Sequence, residues 1–163
     1  MKKYSIFILL AALSFLGGGC SSSDSNSDFE PTPEPQPETP DFLRPGNDTT
    51  PNWTFTDGGR FELRMSLQVE LGDTLATFQS SDDLMSASIN GEVRAVATPK
   101  QTGGQTYYPL VIFDHEMGNT VSLNYYCSKL HRIYTISNWA VFDPSAAPTG
   151  NGGIYRPRFT TAK

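Results

Sequence analysis

Residues 61–71 read Phe61-Glu62-Leu63-Arg64-Met65-Ser66-Leu67-Gln68-Val69-Glu70-Leu71. Apolar side chains hold every odd position, and polar or charged ones hold every even position. A strand sends successive side chains to opposite faces, so this alternation describes a β-strand with one buried face and one wet face. A helix would scatter the same residues around its circumference. The stretch sets the fold class as all-β, and its neighbours read on the same period.

Downstream, Gly72-Asp73 ends the strand and residues 74–78 form a short second segment. Ser80-Ser81-Asp82-Asp83 is turn chemistry, because Ser and Asp side chains bond their own backbone. Leu84–Ile89 leads into Asn90-Gly91, a strong hairpin signal, since both residues tolerate positive φ. The return strand covers 92–98, with Val93, Ala95 and Ala97 alternating against Arg94, Val96 and Thr98. Pro99 and Gly103-Gly104 mark a loop. Residues 107–113 form the next strand and 114–119 a tight charged turn. Val121, Leu123, Tyr125 and Cys127 then make one face, opposite Ser122, Asn124, Tyr126 and Ser128. Strands at 133–136 and 139–142 follow, and residues 144–153 read as loop. A last strand at 154–159 is confined to an edge, because Pro157 has no N–H to donate. Seven or eight short strands without helical periodicity indicate a single antiparallel β-sandwich over residues 52–163, with a closed barrel as the alternative. No internal repeat occurs, so the chain holds one module.

The N-terminus has a different logic. Lys2-Lys3 is followed by the apolar run at 6–16, then Gly17-Gly18-Gly19, then Cys20 and Ser21-Ser22-Ser23. A positive start, a short apolar run and small residues make a secretory signal too short to span a bilayer. Leu16-Gly17-Gly18-Gly19-Cys20 resembles a bacterial lipobox. That resemblance implies that residues 1–19 are a lipoprotein signal peptide and that Cys20 is acylated and opens the mature chain. An uncleaved anchor and plain signal cleavage are the alternatives. Several acyl chains on one cysteine would make the membrane attachment stable. Of the two cysteines, only Cys127 would then keep a thiol. An internal disulfide is excluded, and the apolar alternation around Cys127 predicts a buried, inert thiol.

Residues 20–51 read as a lipidated Ser/Pro/acidic linker. Prolines at 31, 33, 35, 37 and 40 remove ladder donors and fix φ, favouring polyproline II or disorder. Asp24, Asp28, Glu30, Glu34, Glu38, Asp41 and Asp48 face only Arg44, so like charges extend this tether. At about 3.1 Å per residue it reaches roughly 95 Å. A spacer that holds a domain off a lipid surface is the economical reading; a proline-rich recognition ligand is the other. Acidic residues after Cys20 look like the export signal of Bacteroidetes-type surface lipoproteins. That likeness implies an outer-membrane, lipid-anchored protein at the cell surface, with a periplasmic orientation as the alternative.

Asp82-Asp83-Leu84-Met85-Ser86-Ala87-Ser88-Ile89-Asn90-Gly91-Glu92-Val93-Arg94-Ala95-Val96-Ala97, with the strands at 108–113 and 118–126, resembles a β-sandwich module of Bacteroidetes secreted and surface proteins. Asp83, Gly91, Glu92, Arg94, Ala97, Gly118 and Val121 fall at matching places. Ser88 replaces an aromatic residue and Ala95 a glycine. The resemblance implies a fold; such modules serve as stalks, accessory domains and adhesive units, so it implies no activity.

Candidate chemistry is sparse. His115 and His131 lie in expected turns without metal-ligand spacing, and no Gly-x-Ser-x-Gly elbow occurs. No catalytic residue, cofactor or metal centre is expected, and the chain reads as a non-enzyme. Asp82, Asp83 and Glu92 raise a calcium reading, against turn capping by the two aspartates. Glu92 and Arg94, two apart on a strand, suit a charge contact at the sheet rim. Aromatic rings with a polar edge are more informative: Trp53, Tyr107, Tyr108, Tyr125, Tyr126, Trp139 and Tyr155. Tyr108 (or its neighbour Tyr107), Tyr126 and Trp139 are the candidate ligand-binding rings for a glycan or protein partner, against a structural role for all of them. Residues 51–163 are close to neutral and the tether is acidic, so nucleic-acid binding is excluded. The expected function is a membrane-anchored, non-enzymatic binding or adhesion module of the cell envelope. The alternative is a structural or assembly subunit of an outer-membrane complex.

Overall fold

The computed structural model describes residues 39–57, 59–145 and 153–159. In strand β1 (Leu63–Val69), Met65, Leu67 and Val69 are buried while Arg64, Ser66 and Gln68 are exposed. The period-two pattern therefore becomes one dry face and one wet face. The hairpin of β2 (Leu84–Ile89) and β3 (Glu92–Ala97) turns at Asn90 and Gly91, with φ of 52° and 81°. Both values lie in the left-handed region that makes Asn-Gly suitable for a two-residue turn.

Among the described residues, eight strands form two four-stranded sheets. The first sheet has the order β4 (Lys100–Thr102), β5 (Gln105–Asp114), β1, β8 (Ile154–Tyr155). The second has the order β3, β2, β6 (Thr120–Cys127), β7 (Arg132–Val141). Every pairing is antiparallel except the short parallel contact of β8 with β1. The sheets pack as a sandwich. Met65, Leu67 and Val69, with Leu110 and Ile112, meet Met85, Ala87, Ile89, Val121 and Leu123 in one core. Each large aliphatic side chain so buried contributes about 1.5–3 kcal/mol.

Several segments differ from the sequence reading, most of them for a local reason. Residues 74–78 are no strand: Asp73–Ala76 is a one-turn helix. Leu75 and Phe78, three residues apart, reach the core together from a helical turn. The expected loop around Pro99 and Gly103-Gly104 contains β4, because the two glycines, at φ of 59° and 81°, close a tight hairpin into β5. The expected strands at 133–136 and 139–142 are one strand, β7, interrupted by a bulge. Val121 pairs with Ala140 and Leu123 with Ile136, so β7 carries extra residues there, and Asn138 takes φ of 50°. On β3, Ala87 pairs with Ala95 and Ser88 with Val93, which leaves Arg94 as an extra residue. Arg94 turns over the Phe61 ring at 4.5 Å and bonds Glu92 at 3.0 Å.

A further difference moves the domain boundary. Residues 39–51, expected to belong to the linker, pack on the sandwich. Phe42 and Leu43, the apolar pair in this stretch, sit in a 3-10 turn (Asp41–Leu43) against the core. The Tyr134 hydroxyl donates to the Phe42 carbonyl at 2.6 Å. Gly46 N–H donates to Leu130 O at 2.7 Å and Asp48 N–H to His131 O at 2.9 Å. Asp48 Oδ2 in turn accepts the Ile133 N–H at 2.7 Å. This strap thus satisfies backbone groups at the β6–β7 turn and at the start of edge strand β7, where open groups would invite foreign strands. Gly46 is required by the close approach: a Cβ there would stand 2.8 Å from His131 O and 2.5 Å from Arg132 Cγ.

Candidate functional site

Two polar constellations stand out, one inside the sandwich and one on its surface. The inner one centres on Asp83, just before β2 and 0% exposed. Its Oδ1 accepts from Ser128 N–H at 2.9 Å and Ser128 Oγ at 2.8 Å. Its Oδ2 accepts from Tyr125 OH at 2.7 Å, Ser80 N–H at 2.9 Å and Tyr108 OH at 3.3 Å. Burying a carboxylate is tolerable only when its lone pairs are filled, and here five protein donors fill them. One carboxylate therefore ties the 80–83 turn and β2 to β5, β6 and the turn after β6. Burial pushes both tyrosine hydroxyls well above their ordinary range; for Tyr108 the Asp83 charge adds to it, and for Tyr125 the Tyr108 and Asp83 groups do. The rings of Tyr108 and Tyr125 meet edge-on at 5.8 Å. Beside them, the Cys127 thiol donates to Phe78 O at 3.8 Å, and burial raises its pKa. Phenols and a thiol held in their neutral forms are poor nucleophiles, so this constellation is a structural hub.

The outer constellation lies on the wet face of the first sheet and round the end of the sandwich. A cleft of about 740 Å³ is bounded by Thr74, Leu75, Gln105, Arg156, Arg158 and Phe159, among others. It adjoins a hollow of about 150 Å³ that includes Gln68, Thr102, Tyr107 and Ile154. Glu70 and Gln105 line both, so the two make one groove. β5 alternation explains its ring. Tyr108, Leu110 and Ile112 point inward, so Tyr107 points outward, half-buried, where Thr102 Oγ donates to its hydroxyl at 3.5 Å. Glu70 was expected on the wet face, yet it is only 8% exposed. Its own N–H donates to Tyr155 O at 2.9 Å, and Arg156 closes over its carboxylate at 2.6 Å. The pair holds Arg156 in place while leaving that side chain 57% exposed. The remaining guanidinium donors can meet a ligand.

The rings singled out from sequence fare unequally. Tyr108 is fully buried on the inner face of β5 and bonds Asp83, so it offers no surface to a ligand. Tyr126 points away from the core, as alternation requires, yet it is only 2% exposed. The strap accounts for this: residues 46–50 lie beside it, and Thr50 Oγ donates to the Tyr126 hydroxyl at 3.3 Å. Both were expected to be exposed rings, and the fold buries both. Trp139 is half-buried, with its ring 4.7 Å from Tyr155, where the edge strands β7 and β8 approach. Of the adjacent pair on β5, Tyr107 is the ring that reaches the groove. Cys20 lies outside the described residues.

The calcium grouping does not assemble. Asp83 precedes β2 and Glu92 pairs with Ile89 at its far end, six residues on, about 20 Å away at the usual rise per residue. Both Asp83 oxygens are occupied by donors. Among the described residues no cluster of three His, Cys, Asp or Glu side chains has metal-binding geometry. The His115 ring lies tilted beside Phe61 at 4.8 Å, and His131 closes the β6–β7 turn at φ of 48°. No helix among the described residues is long and apolar enough to cross a membrane. Compared with known proteins, the chain matches no family model, no curated protein and no solved structure. The chemistry of the groove therefore rests on its geometry.

Proposed function

We propose that this chain is a lipid-anchored lipoprotein of the cell envelope whose β-sandwich binds an extended polar ligand without catalysing a reaction. The anchor is supported by the order Lys2-Lys3, apolar run, Gly17-Gly18-Gly19-Cys20. The observation that carries the binding role is the groove, which gathers amide, hydroxyl, guanidinium and ring groups from β1, β4, β5 and the segment after β8. Convergent polar groups on a rigid sheet bind, because strands fix their positions better than loops do. The acidic, proline-rich residues after Cys20 serve as a spacer that presents the domain away from the lipid surface, at the outer leaflet of an outer membrane.

Metabolic labelling with an alkyne fatty acid tests the anchor. The wild-type chain takes up label and partitions into detergent, while Cys20→Ala stays unlabelled and soluble. A wild-type chain without label refutes lipidation. Protease treatment of intact cells tests the orientation: loss of the β-domain signal from unbroken cells agrees with surface exposure. Protection until the outer membrane is opened moves the function to an envelope-assembly partner.

A further inference from the structure

The charge of the groove points to a class of ligand, and this inference rests on the binding role proposed above. Arg156 and Arg158 alternate with Pro157 and Phe159, which are buried. An extended backbone sends residues two apart the same way, so anchoring Pro157 and Phe159 turns both guanidinium groups outward. Lys100 stands directly opposite Tyr107 in the β4–β5 register, which puts its side chain on the same outer face. Among the described residues, neither the Lys100 nor the Arg158 side chain has an ion-pair or hydrogen-bond partner. The Glu70 carboxylate is the anion of the described lining, and Arg156 already covers it. Arg156 and Arg158 against Glu70 leave the described lining with one cation in excess, and Lys100 adds a second beside Tyr107 on the adjoining β4 face, on a domain that is close to neutral.

The remaining groups narrow the chemistry. Gln68, Thr102 and Gln105 offer amides and hydroxyls, which both donate and accept as sugar hydroxyls do. Tyr107, half-buried, brings an aromatic ring to the lining. The larger cleft lies round the end of the sandwich, and the smaller hollow lies on the sheet face, where the β4–β5–β1 ladder already uses the backbone donors and acceptors. A peptide that adds as a strand needs a free edge, so this face favours a ligand read by side chains. Two joined hollows, open to solvent, suit a chain of linked units. We infer that the groove binds an acidic polysaccharide. Carboxylates of its uronic-acid units pair with Arg158 and Lys100, the planar guanidinium matching a carboxylate in two-point fashion. Sugar hydroxyls bond Gln105 and Gln68, and a sugar ring lies along Tyr107.

Affinity electrophoresis tests this on the full chain in a nonionic detergent, with polygalacturonate, dextran or poly-glutamate cast in the gel. Retardation by polygalacturonate alone is expected. Arg158→Glu should weaken it at least tenfold, and Gln105→Ala severalfold, with unchanged melting temperatures. Equal retardation by poly-glutamate overturns saccharide recognition and leaves a general anion patch. Retardation by dextran but not polygalacturonate overturns the acidic class while the binding role stands. No retardation by any polymer overturns the inference and withdraws support from the groove as a binding site; the lipid-labelling result is unaffected. Unchanged retardation of Arg158→Glu together with a Lys100→Glu, Arg158→Glu double variant places any binding elsewhere and also overturns it.

Discussion

Asp83→Ala should be among the most damaging single changes in this domain. The side chain is fully buried and accepts five hydrogen bonds, from Ser80, Tyr108, Tyr125 and Ser128. Its removal leaves donors from four residues facing a small void. A hydrogen bond to a charged group contributes about 1.5–3 kcal/mol, and an orphaned buried donor costs about 1–3 kcal/mol. These values do not add, because the donors share one acceptor and can partly relax. A loss of about 3–5 kcal/mol is the reasonable sum, similar to removing one partner of a buried ion pair. At roughly 3–5 °C per kcal/mol for a domain of this size, the melting temperature should fall by about 10–20 °C. Asp83→Asn should be milder, about 1.5–3 kcal/mol. Its oxygen can still accept from Ser128 N–H, and the tyrosine hydroxyls can rotate to accept from its amide, but Ser80 N–H then faces another donor. Urea unfolding followed by tryptophan fluorescence measures both variants. A cost below about 1 kcal/mol for Asp83→Ala, or a cost for Asn equal to that for Ala, would refute the hub argument.

Three further outcomes test other parts of the structure. Gly46→Ala forces a methyl group to within 2.8 Å of a backbone oxygen. It should cost about 1–3 kcal/mol and open the Phe42-Leu43 bonds to limited proteolysis; an unchanged digestion pattern would return residues 39–51 to the linker. Tyr108, Tyr125 and Tyr134 are all buried, and burial raises their pKa values above the ordinary 10.0, that of Tyr134 to about 12. The unfolded chain therefore loses these protons first. The stability they contribute is intact below pH 10, falls above it by roughly 1.4 kcal/mol per pH unit for each tyrosine, and for Tyr134 is lost by about pH 12. Phenolate absorbance from these rings should then rise together with the loss of β-sheet circular dichroism. Rise of that absorbance before unfolding would contradict their burial. Cys127, buried beside Phe78 O, should resist a thiol reagent in the native chain and react fully in denaturant; native reactivity would mean that this side of the core opens.

Alternation made much of the sandwich legible. At 61–71 and 121–127 one face is core and the other is more open, and most side chains' fates follow from their parity. The Asn90-Gly91 turn is equally local, because it needs only residues that accept positive φ. Parity failed where a third layer covers the wet face. Tyr126 is outward and buried because the strap lies on it, and Glu70 is outward and buried because Arg156 closes over it. Nothing within either strand signals its cover, which comes from 76 residues away for Tyr126 and 86 for Glu70. The groove was equally hidden. Tyr107 could be named as one of a pair, but Gln68, Gln105 and Arg158 become a set only when β8 brings the C-terminal segment alongside β1.

The sequence alone therefore determined the all-β class, the hairpin and most inward-facing residues, since these depend on spacing along one strand. It also supplied the reading of the N-terminus, which depends on the order of residues and on no fold. Tertiary structure decided which outward residues meet water, where the domain begins, and that Asp83 is a hub buried under five donors. These properties arise from contacts between segments far apart in the chain, and the energy of such a contact is carried by neither segment alone.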